Sequence, residues 1–265
     1  MRLLAPNPGP MSLDGTNTYV VAAEGGAYVI DPGPGDPGHG AGGREAAEAA
    51  GGLAGVLLTH SHNDHSEGVE ALGGELLWGR VSSTDEAAAL EAALVAGSAS
   101  ALEPAAPGAR AAARATAGPF TIVPTPGHAA DHVCLLFGEV CFCGDLILGS
   151  GSTIVPPATA GGSLAEYMRS LELVGSLGAG LLAPGHGPWI TDPAAKVAEY
   201  LEHRRERERR LRAALERGER SRAALLAEVW NDVPEVLRPA AAIAMQAHLE
   251  KLVAEGSLDP TRLVD

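Results

Sequence analysis

The sequence predicts an α/β protein built around a metal site, and three observations support this fold class. Short apolar runs that favour strands alternate with segments of helical composition along most of the 265 residues. Groups of histidine and aspartate follow several of these runs, at the positions where loops present functional side chains. The hydrophobic fraction of 46% is ordinary for a globular chain with its own core.

The predicted strands are apolar runs bounded by glycine, proline or polar turns, namely residues 18–22, 27–30, 53–58, 76–78, 120–123, 133–137, 140–143 and 180–183. Helical composition covers residues 44–50, 84–95 and 163–177, and Ser163 with Glu166 forms a capping box at the start of the last segment. The segments rich in glycine and proline, or in alanine of low complexity, are predicted loops: residues 1–16, 34–43, 97–118 and 150–162. We expect His39, in the second of these loops, to be solvated.

The densest group of candidate ligands is the run from His60 to His65. It places three imidazoles and one carboxylate within six residues, directly after the strand predicted at 53–58. Neutral imidazole and carboxylate are the usual protein ligands of zinc and related metals, whereas a structural core has no use for so many polar groups. The next residue, Ser66, is placed to cap a helix. The alternative is a surface loop that is merely rich in histidine.

Further candidates follow later strands. His128 ends the rigid turn after the strand at 120–123, Asp145 ends the strand at 140–143, and His186 follows the strand at 180–183. The motif His-X-His-X-Asp-His, together with these later positions, resembles that of the metallo-β-lactamase superfamily. The resemblance implies a four-layer αβ/βα sandwich over residues 1–190, within the α/β class that the pattern predicts.

The same resemblance implies a ligand set and a chemistry. His60, His62 and His128 would hold one divalent metal ion, and Asp64, His65 and His186 a second. Asp145 would bridge the two ions, and Asp64 and Asp145 would act in catalysis by holding the metals whose hydroxide is the nucleophile. Zinc fits these ligands, and iron or manganese fits them too. Asp31, at the end of the strand at 27–30, is either a turn former or a carboxylate beneath the metal site.

Several segments look like the beta-lactamase-like protein 2 group of this superfamily over nearly the whole chain. They are Gly15 to Tyr19, Thr125 to His128 with Asp131 and His132, Gly144 to Gly149, and Pro184 to Pro188. That group includes a single-strand-specific endoribonuclease and polyketide-associated thioesterases. Asn17, Tyr19 and His132 are candidates for substrate contact. A buried strand ring is the alternative for Tyr19, and a hydrogen-bond partner of a ligand is the alternative for His132.

The distribution of charge along the chain ranks the candidate functions. Residues 1–195 carry 6 Lys and Arg against 20 Asp and Glu, a balance of −14. Affinity for nucleic acid depends mainly on basic groups that neutralise phosphates. We therefore expect a small or carrier-bound acyl thioester, or a related small ester, ahead of RNA as the substrate. A non-enzymatic metal-binding or winged-helix regulator is a third alternative, and the intact set of seven candidate ligands argues against it.

The chain divides into a catalytic domain at 1–191 and a winged-helix-like helical tail at 192–265. Within the tail, residues 196–265 carry 13 basic and 13 acidic side chains. Its predicted helices run from Asp192 to about residue 217, from Ser221, and from Pro239 to near residue 256, before a small wing. The charged run 203–210 is predicted as a solvated helical face. Because the last helix has few basic groups, we expect packing or a dimer contact rather than DNA binding.

The cysteines and the apolar segments indicate the cellular compartment in which the protein is expected. The three cysteines have no disulfide-framework spacing, and Cys141 and Cys143 lie in an apolar run typical of a buried strand. We find neither a secretory signal nor an apolar run near the length of a membrane span. The cytoplasm is therefore the expected location, without a membrane partner.

Overall fold

Two five-stranded sheets form the centre of the protein, in a computed structural model that describes residues 1–79 and 115–264. The first sheet has the order β1-β2-β3-β4-β5 and consists of Arg2–Leu4, Asn17–Ala23, Gly26–Ile30, Leu53–Leu57 and Leu76–Trp78. The second has the order β10-β9-β8-β7-β6, and its strands in chain order are Ala115–Ala117, Phe120–Pro124, Val133–Phe137, Val140–Gly144 and Leu181–Pro184. The pairs β3–β4, β4–β5 and β9–β10 are parallel, and the other pairs are antiparallel.

The sheets pack face to face because their strands alternate between two apolar faces. In β3, Tyr28 and Ile30 belong to the core between the sheets, and Val29 belongs to the core on the opposite face. Phe120 and Leu135 belong to the second sheet and pack against the first sheet in the core between them. Each fully buried side chain of this size stabilises the fold by roughly 1.5–3 kcal/mol.

Helices cover both outer faces. α1 (Pro37–Ala49) and α3 (Gly68–Leu72) pack on the first sheet, and the short α2 (Asn63–Ser66) precedes α3. α4 (Leu164–Ser176) packs on the second sheet against the three cysteines, all of them free and fully buried. The layers are therefore helix, sheet, sheet and helix, which confirms the predicted four-layer sandwich.

The segment 34–43 is not the solvated loop that its glycines predict, because α1 already begins at Pro37. Asp36 caps the helix, with its Oδ1 accepting the His39 N–H at 2.7 Å, and Pro37 occupies the first turn, where its missing N–H costs nothing. These start signals outweigh the low helix propensity of glycine. The expectation of a solvated His39 is also wrong, because its Nε2 lies 2.8 Å from Thr18 Oγ1.

Three further expectations differ from the structure or fall outside it. Residues 1–16 contain β1, which pairs with β2, and the end of the predicted loop 97–118 is β6. Ser66 is the last residue of α2 rather than a cap, and its Oγ donates to Ser61 O at 3.2 Å. The helix predicted at 84–95 and residues 97–114 of the predicted loop lie outside the described residues.

The tail begins with the long helix α5 (Pro193–Glu216), followed by α6 (Arg222–Val229) and α7 (Arg238–Ala254). Asp192 and Ser221 cap the first two of these helices, as predicted. The N-terminal part of α5 packs into the core beside α4, and its C-terminal part joins a separate tail core. Within the described part of the chain, we find no helix with the length and apolar character needed to cross a membrane.

Candidate metal centre

The ends of four strands bring the candidate ligands together at one edge of the sandwich. The run His60 to His65 follows β4, and His128 follows β7. Asp145 and His186 follow the parallel neighbours β9 and β10. Strands that end at the same edge of packed sheets place their following loops side by side, so residues far apart in sequence become neighbours.

His60, His62 and His128 form the first group of donor atoms. His62 Nδ1 lies 3.0 Å from His60 Nε2 and 3.1 Å from His128 Nε2. Asp64, His65 and His186 form the second group, with Asp64 Oδ2 lying 3.6 Å from His65 Nε2 and 3.2 Å from His186 Nε2. Within each group, all donor atoms lie within 4.8 Å of one another.

Asp145 lies between the two groups. Its Oδ1 is 3.6 Å from His65 Nε2, whereas its Oδ2 is 3.3 Å from His186 Nε2 and 3.8 Å from His128 Nε2. One carboxylate therefore faces donors of both groups. The structure brings all seven sequence-predicted ligand residues together.

The donor set fits divalent metal ions. His65 Nε2 and Asp145 Oδ1 are buried and have no hydrogen-bond partner among the described residues. A buried polar atom without a partner costs about 1–3 kcal/mol, and a bound cation would remove that cost at both atoms. Imidazole nitrogen with carboxylate oxygen is the ligand chemistry of zinc, iron and manganese sites.

Hydrogen bonds on the far side of the rings orient four of the candidate ligands. Each of these histidines directs Nε2 towards the other donors, and its Nδ1 has an oxygen partner: Thr59 Oγ1 at 3.0 Å for His60, Asp31 Oδ2 at 3.0 Å for His65, Ile154 O at 2.8 Å for His128, and Gly15 O at 3.2 Å for His186. Such partners fix the tautomer and the ring direction of a metal-binding histidine.

Burial and mutual charge set the protonation of the cluster. Burial lowers the pKa of His60 well below its usual value, with the nearby His65 as the next cause. Burial alone would raise the pKa of Asp145, but the charge of His65 and the hydrogen bond from His186 hold it well below the usual range. For His186, burial is outweighed by hydrogen bonds to Asp145 and Asp64, which raise the pKa to about 9. The carboxylates are thus ionised, as metal ligands must be.

Asp31 proves to be a carboxylate beneath the site rather than only a turn former. Its Oδ1 accepts the Thr59 N–H and its Oδ2 accepts the Thr59 hydroxyl, each at 2.8 Å, and Oδ2 also meets His65. Its backbone has a φ of +49°, a conformation uncommon outside glycine. Strain of this kind persists where the surrounding contacts determine the geometry.

A close backbone approach completes the centre at Gly185. A Cβ at this position would lie 2.4 Å from Asp145 Oδ1 and 2.6 Å from His65 Cε1. Any larger residue would therefore displace the Asp145 carboxylate or the His65 ring.

Asn17 and Tyr19 bind the backbone of the loop that carries His186. Both are buried, and the Asn17 amide donates to Pro184 O at 2.9 Å and Gly187 O at 2.8 Å, while the Tyr19 hydroxyl donates to Pro184 O at 2.8 Å. The two side chains thus hold the loop that carries His186, and for Tyr19 this geometry favours the alternative of a buried strand ring.

His132 is buried beside the candidate ligands. Its Nδ1 lies 2.9 Å from Thr125 Oγ1, and its ring centroid is 5.2 Å from that of His60. Burial lowers its pKa to about 3, so the ring is neutral at pH 7. The geometry supports the alternative interpretation, a side chain packed against the ligands.

The donor atoms open into a pocket of about 380 Å³ that continues to the helical tail. Its lining includes His62 and Asp145 from the cluster, Arg204 and Arg207 from α5, and Trp230 after α6. Both arginines are almost fully buried, so the predicted solvated face of the run 203–210 is wrong for them. The signal was present in the spacing of buried positions 197, 200, 204, 207 and 211, which follows one helix face.

Arg204 connects the tail to a candidate ligand. Its Nη2 donates to Thr153 O at 2.5 Å and to Ser152 Oγ at 3.0 Å, next to Ile154, whose carbonyl accepts from His128. Tyr200 holds the same loop, with its hydroxyl 2.9 Å from Leu148 N. Helix α5 therefore helps to position a loop of the metal centre.

Residues 11–186 match the family model described as the metallo-beta-lactamase superfamily. The chain belongs to this superfamily. Residues 221–259 match the beta-lactamase associated winged helix domain, which confirms the winged-helix character predicted for the tail. The family and the converging donors support a hydrolase whose fold implies divalent metal ions, and they argue against the non-enzymatic alternative.

Relatives agree with this assignment. A beta-lactamase-like protein 2 homolog of Drosophila melanogaster is 33% identical over 280 residues, covering 100% of this chain and 91% of that protein. An atrochrysone carboxyl ACP thioesterase of Aspergillus fumigatus is 34% identical over 236 residues, covering 84% of this chain and 66% of that protein. The predicted resemblance to the beta-lactamase-like protein 2 group is confirmed.

A solved structure shares the fold over almost the whole chain. It is the crystal structure of a metallo-beta-lactamase family protein from Thermus thermophilus, with a TM-score of 0.68 and 24% identity, covering 98% of this chain and 94% of that one. The shared fold thus extends from the sandwich into the tail.

Proposed function

We infer that the protein is a dinuclear metal-dependent thioesterase that acts on acyl thioesters or related small esters. The observation that carries this inference is the pairing of two groups of metal donors around Asp145 with a pocket whose tail side is apolar. In this proposal, residues 1–191 form the catalytic domain and residues 192–265 form a tail that completes the pocket.

The donor geometry indicates which residues would hold each ion. His60, His62 and His128 would bind one ion, Asp64, His65 and His186 the other, and Asp145 both, with zinc as the expected metal and iron or manganese as alternatives. Such ions lower the pKa of water to near neutrality and polarise the carbonyl oxygen under attack.

The side chains of the chain itself orient this chemistry. Asp145 faces both groups of donors, with Oδ1 near His65 and Oδ2 near His186 and His128, so it links the two groups. Asp64 is bound to His186 and receives the Thr16 hydroxyl at 3.3 Å, which favours a ligand role over a free general base. His62 is the exposed member of the first group and also lines the pocket, so it would face the bound substrate.

Charge favours a thioester over RNA. The catalytic half has the balance of −14 noted above. Of the two buried arginines of the pocket, Arg207 is paired with Asp232, and Arg204 is bound to the loop at Ser152 and Thr153. Neither is free to track a phosphate backbone, and single-strand binding normally relies on such groups. The thioesterase name of the Aspergillus relative is consistent with this choice, and a carrier-bound acyl group is the expected natural form of the substrate.

Paired turnover assays test the proposal on metal-replete protein. One assay follows thiol release from a short acyl thioester, and the other follows cleavage of a fluorescent single-stranded RNA, with Asp145→Ala as the blank in both. We expect thiol release that depends on Asp145 and no cleavage of RNA. RNA cleavage without thioester hydrolysis would mean that the enzyme is an endoribonuclease.

A further inference from the structure

We propose that the helical tail selects the acyl group of the substrate by closing an apolar acyl pocket beside the metal centre. The inference rests on the proposed thioesterase function and names a substrate class for it. That class is thioesters of apolar, medium-length acyl groups, whose upper length is set by α7.

The pocket is continuous between the two halves of the protein. The same cavity of about 380 Å³ is lined by Asp64 and His186 of the metal centre and by Ala241 and Ala244 of α7. A substrate whose reactive carbonyl lies at the metal donors therefore extends its acyl group towards the tail. Cavities of this size are typical of small-molecule sites.

The tail side of the pocket is apolar. Leu148 from the catalytic half faces it together with Trp230, Val233 and Leu237 from the tail. Side chains of this kind bind a partner by removing its apolar surface from water, which favours hydrocarbon over sugar or phosphate.

The polar groups on this side already have roles within the protein. Arg207 donates to both oxygens of Asp232, at 2.7 and 2.9 Å, and Arg204 is bound to the loop at 152–153. Of the nitrogens of these two arginines, only the Nε atoms are buried without an acceptor among the described residues. Burial, with the charge of Arg204 as the next cause, lowers the pKa of His203 to about 4, so this ring is neutral at pH 7. An uncharged acyl group fits this lining better than a polyanion.

Helix α7 limits the depth of the pocket with alanines. Ala240, Ala241 and Ala244 line the pocket from one face of the helix, because positions four apart lie one above the other. A leucine at either 240 or 244 would occupy space that the acyl chain uses. Since the side chain of Ala240 is only half-buried, a leucine there is compatible with folding.

The test compares acyl chains of different length on the full-length, metal-replete enzyme. The variants are Ala240→Leu and Ala244→Leu, and Ala254→Leu is the matched control, an exposed alanine of the same helix. In the two pocket variants, we expect the ratio of kcat/KM for octanoyl and decanoyl pantetheine thioesters to kcat/KM for the acetyl thioester to fall by at least about tenfold. Leu237→Ala, which enlarges the pocket, should move the preference to longer chains. Thermal denaturation verifies that each variant is folded.

A binding measurement separates this inference from the proposed function. The probe is S-decyl pantetheine, a thioether that cannot be hydrolysed, titrated by calorimetry. We expect weaker binding in both pocket variants and unchanged binding in Ala254→Leu. The acyl-pocket proposal would be overturned if every variant bound S-decyl pantetheine as tightly as wild type. It would also be overturned if kcat/KM fell equally for short and long thioesters. Loss of decyl binding in the pocket variants without turnover of any thioester would instead keep the pocket and overturn the thioesterase function.

Discussion

His65 Nδ1 lies 3.0 Å from Asp31 Oδ2, a contact between residues 34 positions apart in the sequence. The same carboxylate accepts the backbone N–H and the hydroxyl of Thr59, where the ligand loop begins. One buried side chain therefore fixes both the orientation of a candidate ligand and the start of the loop that carries three others.

Replacing Asp31 by Asn should weaken metal binding without removing a ligand. The amide has nearly the same shape, but it cannot accept all three hydrogen bonds through charged oxygens, so the His65 ring loses its fixed tautomer. Losing such a partner typically costs roughly 10–100-fold in metal affinity. Competition with a chromophoric chelator measures the affinity, and Asp14→Asn, at an exposed position, is the control. Equal affinities in Asp31→Asn and wild type would contradict the role given to Asp31.

His62→Ala and Asp145→Ala should each abolish hydrolysis and lower the metal content. His62 contributes to the first group of donors, and Asp145 faces both groups, so we expect the larger loss of metal in Asp145→Ala. Elemental analysis of purified variants gives the metal content, and thiol release gives the activity. Glu70→Ala, at an exposed position on α3, should retain both. Normal turnover in either ligand variant would exclude the proposed site.

Arg204→Leu should destabilise the protein and disturb His128. The change removes the donors to Thr153 O and Ser152 Oγ, which leaves a buried carbonyl without its partner and costs about 1–3 kcal/mol of unfolding free energy. The neighbouring loop residue Ile154 holds the His128 ring, so metal affinity should fall as well.

Arg205→Leu is the matched control for this prediction, because it alters the next residue on α5, whose ion pair with Glu172 is exposed. Exposed pairs contribute less than about 1 kcal/mol. Urea denaturation compares the two variants, and equal stability would show that Arg204 has no special role.

His248 should make the tail sensitive to acid. Its ring is buried, neither nitrogen has a hydrogen-bond partner among the described residues, and burial lowers its pKa to about 3 from 6.5. Between these two values the unfolded chain binds a proton that the folded chain excludes, so stability falls as pH falls from 6.5 towards 3.

His248→Leu should therefore reduce the loss of unfolding free energy between pH 7 and pH 5 by about 2 kcal/mol. Urea denaturation at the two pH values, with equal metal loading of variant and wild type, measures this difference. Parallel pH dependence in the two proteins would mean that His248 is already protonated or solvated in the fold.

The ligands could be predicted from the sequence because their signals are local. Each lies at the end of an apolar run, and the group from His60 to His65 is dense enough to require a metal. For Asp31 the sequence is compatible with two roles, since only the packing of β3 against β4 decides which partner its carboxylate contacts.

Other features depend on contacts that the sequence does not display. The start of α1 at Pro37 was missed because glycine lowers helix propensity, while the cap from Asp36 becomes evident only in the structure. Asn17 and Tyr19 lie in a segment that resembles the beta-lactamase-like protein 2 group, yet they bind the carbonyl of Pro184, more than 160 positions away. Arg204 lies within a run of charges that also contains the exposed Arg205 and Arg209, so its burial is not evident from the sequence.

The measurement that tests the central claim most directly combines metal stoichiometry with thioester turnover on the same preparation. We predict about two divalent ions per chain, thiol release from an acyl pantetheine thioester, and loss of both in Asp145→Ala. A protein with both ions bound that releases no thiol from any acyl thioester, while it cleaves single-stranded RNA in a manner that depends on Asp145, would contradict the thioesterase assignment.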